Sequence, residues 1–116
     1  MKRNELADRL LDFGVRVVSF VVRFNKTAVC RHIGNQLLRS GTSAGANYEE
    51  ACGAESKADF VHKMQMTLKE LRESLYWLKL IERAGLVPAK SIEGLLCEAV
   101  ELVNIIGKSV VTAKQK

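Results

Sequence analysis

The chain has 116 residues, of which 47% are hydrophobic and 27% charged, with eight glycines and one proline. This composition excludes a disordered or fibrous protein and predicts one compact domain over residues 1–116. The net charge of +5 arises within residues 1–40, and such a basic surface attracts phosphate-rich or acidic partners, although it can also serve solubility alone.

The first predicted element is an amphipathic helix over about residues 2–25. Its apolar residues recur at alternating steps of four and three, which is the spacing of a helix that packs along one seam. The residues of this seam are Leu6, Leu10, Phe13, Val17, Phe20 and Phe24. The longest apolar run here contains a serine and is flanked by arginines, so it predicts no membrane span.

The same helix carries two further rows of residues. One row is apolar and contiguous and predicts a surface covered by a neighbouring subunit, with a few exposed valines on a peripheral helix as the alternative. Its members are Leu11, Val15, Val18 and Val22. The other row consists of cations that recur every seven residues. Together with two cations that follow the helix in the sequence, this row forms the candidate nucleic-acid-binding surface. These cations are Lys2, Arg9, Arg16, Arg23, Lys26 and Arg31.

A break at residues 25–27 precedes a second predicted helix, which Gly53 ends. Its middle, SGTSAGAN at 40–47, contains two glycines that together cost a helix about 2 kcal/mol relative to alanine. A phosphate-binding loop is one interpretation, but the Walker spacing is missing, which favours a small face that lets another backbone approach closely. This candidate helix-packing motif comprises Ser40, Gly41, Ala44, Gly45, Asn47 and Glu50. Its last two residues are expected to form a buried polar network.

Two further helices complete the predicted fold. Ser56 and Asp59 resemble a capping box that opens the third helix, and Gly85 with Pro88 ends it. The fourth helix has its apolar seam from residue 92 to 110, before the polar tail TAKQK. Its seam residues are Ile92, Leu95, Leu96, Ala99, Val103, Ile106 and Val110. Four long helices joined by short turns predict an all-α fold, an antiparallel up-down-up-down four-helix bundle.

Two clusters on the third helix have ordinary structural interpretations. Glu73 lies four residues after Lys69, so pairing on the helix surface accounts for its charge. Tyr76 and Trp77 point about 100° apart around a helix, so at most one of them can serve as a platform for a nucleic-acid base. Packing in the core or against another subunit is the commoner role of such side chains.

The titratable residues do not form a pattern typical of catalysis or metal binding. Di-iron bundles need a Glu-x-x-His pair on each of two helices, and this chain offers one Asp59-x-x-His62. Cys30, Cys52 and Cys97 lack CxxC spacing, which favours small core residues in a reducing cytoplasm. We therefore predict a cytoplasmic protein with no enzymatic activity, cofactor or metal.

Two stretches resemble a known family: QLLRSGTSAGANYEEA at 36–51 and SKADFVHKMQMTLKELRESLYWLKLI at 56–81. They are similar to the bacterial four-helix-bundle proteins encoded in intervening sequences of 23S rRNA genes. The resemblance implies an antiparallel bundle, a ring-like homopentamer and no enzymatic activity. The accessory protein of diversity-generating retroelements is similar in fold and engages nucleic acid and a reverse transcriptase through a basic surface. Nothing in this chain identifies such a polymerase, so that role is not transferred.

Two functions remain open at this point. The first is a homo-oligomer that binds RNA or DNA without sequence specificity through its cationic line. The second is a scaffold that binds an acidic protein without nucleic acid. The resemblance and the charge of the first 40 residues favour the first. Arginines held in internal ion pairs would count against it.

Overall fold

The computed structural model describes all 116 residues and consists of four helices with no strand. The helices are α1 (Arg3–Phe24), α2 (Ala28–Cys52), α3 (Lys57–Arg83) and α4 (Ala89–Gln115). They pack side by side into a rod of 45 × 20 × 20 Å, which confirms the predicted all-α bundle. None of the helices has an apolar stretch of the length that crossing a membrane requires.

Local signals set most of the helix ends. The Thr27 hydroxyl accepts the backbone N–H of Cys30 at 3.1 Å, and the Ser56 hydroxyl accepts that of Asp59 at 3.0 Å. Gly85 follows α3 with a φ of +65°, a left-handed conformation that glycine adopts readily. One boundary differs from the prediction, because the tail TAKQK is helical as far as Gln115. It contains no glycine or proline that would end a helix.

The core runs along the bundle and follows the predicted apolar seams. Every seam residue of α1 is buried except Phe20, which is half-buried and stacks on Phe24 with ring centres 5.2 Å apart. In α4 the prediction is partly wrong, since Leu102 is fully buried whereas Leu96 and Val103 are half-buried. Each of those two follows a buried residue by one position, which places it about 100° away from the centre of the buried face.

Two serines lie fully buried between α2 and α3. The hydroxyl oxygens of Ser40 and Ser74 are 2.8 Å apart, and the Ser74 hydroxyl also lies 2.9 Å from the Glu70 carbonyl oxygen of its own helix. Buried hydroxyls are costly unless they form hydrogen bonds, and these two satisfy each other. The seam therefore contains a polar contact at its centre.

An arginine of α2 reaches across the same seam to α3. Arg39 forms an ion pair with Glu70 at 3.2 Å and a second with Glu73, whose carboxylate also accepts the Trp77 Nε1–H at 3.2 Å. The predicted pairing of Glu73 with Lys69 is wrong, because the partner comes from the neighbouring helix. Hydrogen bonding from Arg39 holds the pKa of the Glu73 carboxyl below its usual value.

Candidate nucleic-acid interface and subunit surface

The small-residue stretch of α2 lies against α1. The stretch is helical throughout, so it offers no loop of free backbone N–H groups and the phosphate-loop interpretation is wrong. At Gly41 an added Cβ would lie 2.8 Å from a methyl group of Val17. At Gly45 the corresponding distance to the Leu10 carbonyl oxygen is 3.5 Å, and Ala44 is fully buried nearby. The glycines thus allow two helices of one chain to approach closely.

The polar network predicted at the end of this stretch does not form. The Asn47 side chain donates to the Ser43 carbonyl one turn earlier on its own helix at 3.1 Å. The exposed Glu50 carboxylate accepts the Lys63 ammonium of α3 at 2.8 Å instead. The hydrogen bond that Lys63 donates to Glu50 raises the pKa of Lys63. The prediction failed because a long side chain at the helix surface can reach a cation on the next helix more readily than it can turn inward.

The apolar row of α1 is exposed along its whole length. The exposed fractions are 64% for Leu11, 56% for Val15, 43% for Val18 and 74% for Val22. The first three of these residues line a groove of about 620 Å³ between α1 and α2, and Thr42, Gly45 and Ala46 are among its residues on the α2 side. The groove therefore follows the small-residue stretch on its outer side.

Arg9 is the one member of the predicted cationic line that is engaged within the chain. Its Nε and Nη2 atoms donate to the two carboxylate oxygens of Glu98 at 2.8 and 2.7 Å, and Glu101 lies 3.3 Å away. Only 15% of the Glu98 side chain is exposed. The hydrogen bonds that Arg9 donates to Glu98 raise the pKa of Arg9. This guanidinium therefore serves the contact between α1 and α4.

The remaining predicted cations are exposed and have no carboxylate partner. Lys2 precedes α1, Lys26 lies in the turn after it, and Arg31 is in the first turn of α2. Arg16 and Arg23 lie on α1 itself and face the groove between α1 and α4. They are the cations that the structure brings together.

The groove between α1 and α4 has a volume of about 350 Å³ and is lined by no acidic side chain. Its cations are Arg16, Arg23 and Lys90, the last contributed by the first turn of α4. Gly94 faces Arg16, and an added Cβ there would lie 3.2 Å from a guanidinium nitrogen. Sequence analysis missed Lys90, because no spacing within one helix reports which residues of a distant helix face it.

The two surfaces lie on adjoining sides of α1. Residues two positions apart, such as Arg16 and Val18, point about 200° apart around a helix, whereas the neighbours Val15 and Arg16 point only about 100° apart. Leu11, Val15 and Val18 line the groove with α2 and the cations line the groove with α4, but Val15 lines both. A molecule that covers the apolar row therefore reaches the edge of the cationic groove at Val15.

The cysteines only partly follow their prediction. Cys30 and Cys52 pack against the core, whereas Cys97 is exposed, so its assignment to the core is wrong.

Burial raises the pKa of Tyr48 to about 12, with a smaller effect from the neighbouring Cys52. No group of three His, Cys, Asp or Glu side chains is placed to hold a metal ion.

Comparison with known proteins identifies relatives. The family model of the 23S rRNA-intervening sequence protein matches residues 2–108. A crystal structure of a protein of unknown function from the S23 ribosomal protein family of Bacteroides thetaiotaomicron has a TM-score of 0.85 and 33% sequence identity, and covers 95% of this chain and 98% of that chain. No curated protein sequence matches the chain significantly. The matched residues include both surfaces of α1.

Proposed function

The chain belongs to the 23S rRNA-intervening sequence protein family, and from this premise we propose that it is a non-enzymatic homo-oligomer that binds RNA or DNA without sequence specificity. The observation that carries this proposal is the α1–α4 groove, which Arg16, Arg23 and Lys90 all line and which no carboxylate lines. Unpaired cations in such a groove attract phosphate groups and bind them irrespective of base sequence. Neither the family nor the similar crystal structure is described as an enzyme.

The structure revises which cations form the proposed surface. A phosphate at Arg9 would meet Glu98 and Glu101, which are already bound to that guanidinium, so repulsion disfavours binding there. The surface is therefore centred on Arg16 and Arg23 and gains Lys90. We assign the exposed cations that precede and follow α1 a peripheral role. They are Lys2, Lys26 and Arg31.

The exposed apolar row supports the oligomeric part of the proposal. Four contiguous aliphatic side chains, two of them more than 60% exposed, form a patch of the kind that marks an interaction site. We propose that a second copy of the chain covers Leu11, Val15, Val18 and Val22, and that the assembly has five subunits, as the family resemblance implies. A ring would repeat the cationic groove once per subunit, which strengthens binding to a long polyanion.

The topology of the helices and the location of the protein in the cell complete the proposal. We assign the bundle an antiparallel up-down-up-down topology, which is supported by contacts that run in opposite order along neighbouring helices, such as Ser40 with Ser74 and Glu50 with Lys63. We place the protein in the cytoplasm, because its family is named for a sequence within 23S rRNA.

A charge reversal tests the nucleic-acid surface. The double variant Arg16→Glu/Arg23→Glu should lose binding to a short fluorescein-labelled duplex, measured by anisotropy over a range of salt concentrations. For the wild type, log K should fall with log[salt] at about −0.9 per phosphate contact, or near −2.7 for three cations. The control Lys57→Glu/Lys116→Glu makes the same change in charge at two exposed sites outside the groove and should retain affinity.

Unchanged affinity of the Arg16→Glu/Arg23→Glu variant would contradict the proposal. A protein partner that is retained in a pull-down after nuclease treatment, and is lost in the same variant, would favour the acidic-protein scaffold instead.

A separate measurement tests the subunit surface. The variant Val15→Glu/Val18→Glu should reduce the mass of the assembly, measured by light scattering at micromolar concentration, because two carboxylates would be buried without partners. The variant Asn4→Glu adds negative charge to an exposed site of α1 that is not in the apolar row and should leave the mass unchanged. A monomeric mass for the wild type would contradict the oligomer.

A further inference from the structure

A second cationic surface, the α3 stripe, lies along the outer face of α3. Its residues recur at steps of three and four and therefore occupy one side of the helix. They are Lys69, Arg72, Tyr76, Lys79 and Arg83. All five are exposed, and none of the four cations has an ion-pair partner in the chain. At 1.5 Å per residue the stripe is about 21 Å long.

Helix α4 adds a second wall beside the stripe. Arg72, Tyr76 and Lys79 line a groove of about 910 Å³ whose α4 side includes Lys108, and no acidic side chain lines it. Gly107 belongs to the same groove, and an added Cβ there would meet no atom within 4 Å, so the groove is open at that point. The groove can therefore admit a chain that runs along α3.

Tyr76 is the exposed aromatic side chain at the centre of the stripe. Its exposed fraction is 58%, whereas the adjacent Trp77 is half-buried and donates its N–H to Glu73. The two rings meet edge to face with centres 5.1 Å apart and an interplanar angle of 77°. Trp77 is held by Glu73, which is itself held by Arg39 from α2, so the support beneath Tyr76 is fixed. The result is an oriented aromatic ring between two cations.

Cations that alternate with an exposed aromatic ring are the features that bind single-stranded nucleic acid, because cations follow the backbone while bases stack on the ring. In a duplex the bases are stacked on one another and leave no face for Tyr76. An acidic peptide would use the cations but would give the ring no planar partner. The arrangement thus favours an unpaired strand.

We infer that the α3 stripe binds single-stranded RNA or DNA, with one base stacked on Tyr76 and phosphates beside Arg72, Lys79 and Lys108. This surface shares no residue with the α1–α4 groove and lies on another side of the bundle. The inference therefore goes beyond the proposed function, and each can hold without the other.

Anisotropy of fluorescein-labelled oligouridine and oligothymidine tests the inference on the full chain. Tyr76→Ala should weaken binding about 5- to 150-fold, which is the loss expected for one stacked base. Tyr76→Phe keeps the ring and removes the hydroxyl, so it should bind like the wild type. Arg72→Glu/Lys79→Glu should weaken binding further and make the salt slope shallower by about 0.7 for each lost contact.

Matched controls separate this surface from the first. Lys57→Glu/Lys116→Glu makes the same charge change as the stripe variant and should retain affinity, as should Arg16→Glu/Arg23→Glu. If that groove variant loses duplex binding while the stripe variants bind single strands normally, the inference fails and the proposed function stands. The opposite pattern refutes the proposed function and leaves the inference intact.

Three other results would overturn the inference. Wild-type affinity in Tyr76→Ala would remove the stacking contact on which the assignment to single strands depends. Equal competition by poly-glutamate would show that charge alone governs binding and would point to an acidic protein. A change in assembly mass for Tyr76→Ala, measured by light scattering, would identify the ring as a subunit contact.

Discussion

Helix α1 packs against α2 on one side and α4 on the other, and the two seams are built from different side chains. On the α2 side, Gly41 lets Val17 approach so closely that no methyl group fits between the helices. On the α4 side, the helices approach less closely, and the ion pair between Arg9 and Glu98 joins them next to an open groove. Small residues thus close one seam, and long charged residues keep the other open.

The difference shows how one helix can contribute both to the fold and to a candidate site. A seam closed by glycine has no space for a ligand between its backbones. A seam spanned by arginines has space, and their cationic groups remain at its edge because the long stems extend toward water. If the two seams differ in this way, the same kind of substitution should have different effects in each.

The largest effect is expected from Gly41→Ala in the closed seam. Alanine favours a helix over glycine by about 1 kcal/mol, but the new methyl group would overlap the buried and stiff Val17 side chain. We expect a net loss of about 2 kcal/mol in the free energy of unfolding, measured with urea. A stabilised variant would show that glycine does not close this seam.

The next effect is expected from Arg9→Met in the open seam. Methionine keeps much of the apolar stem but leaves the mostly buried Glu98 without its charged donor. Loss of such hydrogen bonds should lower the free energy of unfolding by about 1–2 kcal/mol. Duplex affinity should stay at the wild-type value, since Arg9 is engaged internally. A marked loss of affinity would return Arg9 to the binding surface.

A third test is Gly94→Ala in the open seam, which we expect to raise the free energy of unfolding, whereas Gly41→Ala should lower it. The new methyl group would lie 3.2 Å from the end of the Arg16 side chain, which is exposed and can move. We expect a gain of about 0.5–1 kcal/mol in urea unfolding, because alanine replaces a flexible glycine within a helix. Gly107→Ala, where a Cβ meets nothing, should show the same gain. A loss confined to Gly94→Ala would mean that the open seam has no spare space.

The smallest effect is expected from Arg39→Met, at a seam that buried serines also hold. Half of the Arg39 side chain is exposed, and it holds the mostly buried Glu70 by a single hydrogen bond of 3.2 Å, whereas paired bonds of 2.7 and 2.8 Å join Arg9 to Glu98. Its removal should therefore cost only about 0.5 kcal/mol at neutral pH. Arg39 lowers the pKa of Glu73 in the folded protein, so its contribution is present above the unfolded pKa. That contribution is lost as the pH falls through the lowered value. Urea unfolding at neutral and acidic pH should therefore show the two proteins converging in acid; a constant difference would contradict this origin.

The apolar spacing of the sequence predicted the four helices and most of the core, because each seam is a property of one helix. It did not predict that Ser74 and Thr67 are fully buried, since polar residues are expected at the surface. Thr67 satisfies its hydroxyl by donating to the Lys63 carbonyl one turn earlier at 3.0 Å, which a hydropathy pattern does not report.

The candidate site was less predictable than the fold. Arg9 and Arg16 are the same residue type at equivalent positions seven residues apart, yet they have different roles. Helix α4 presents Glu98 to the first and Gly94 to the second. The distinction depends on which residues of α4 lie opposite, and no pattern within α1 contains that information.

The serine pair between α2 and α3 also determines how far these helices can slide. A shift of one helical turn, about 5.4 Å, would move each hydroxyl away from the other and against hydrocarbon. Each hydroxyl would then keep only its hydrogen bond to a carbonyl of its own helix, and loss of the bond between the helices would penalise displaced alignments. The contact between Ser40 and Ser74 thus fixes how far α2 and α3 are shifted along each other. The same alignment places Arg39 of α2 beside Glu73, which holds Trp77 next to the exposed tyrosine.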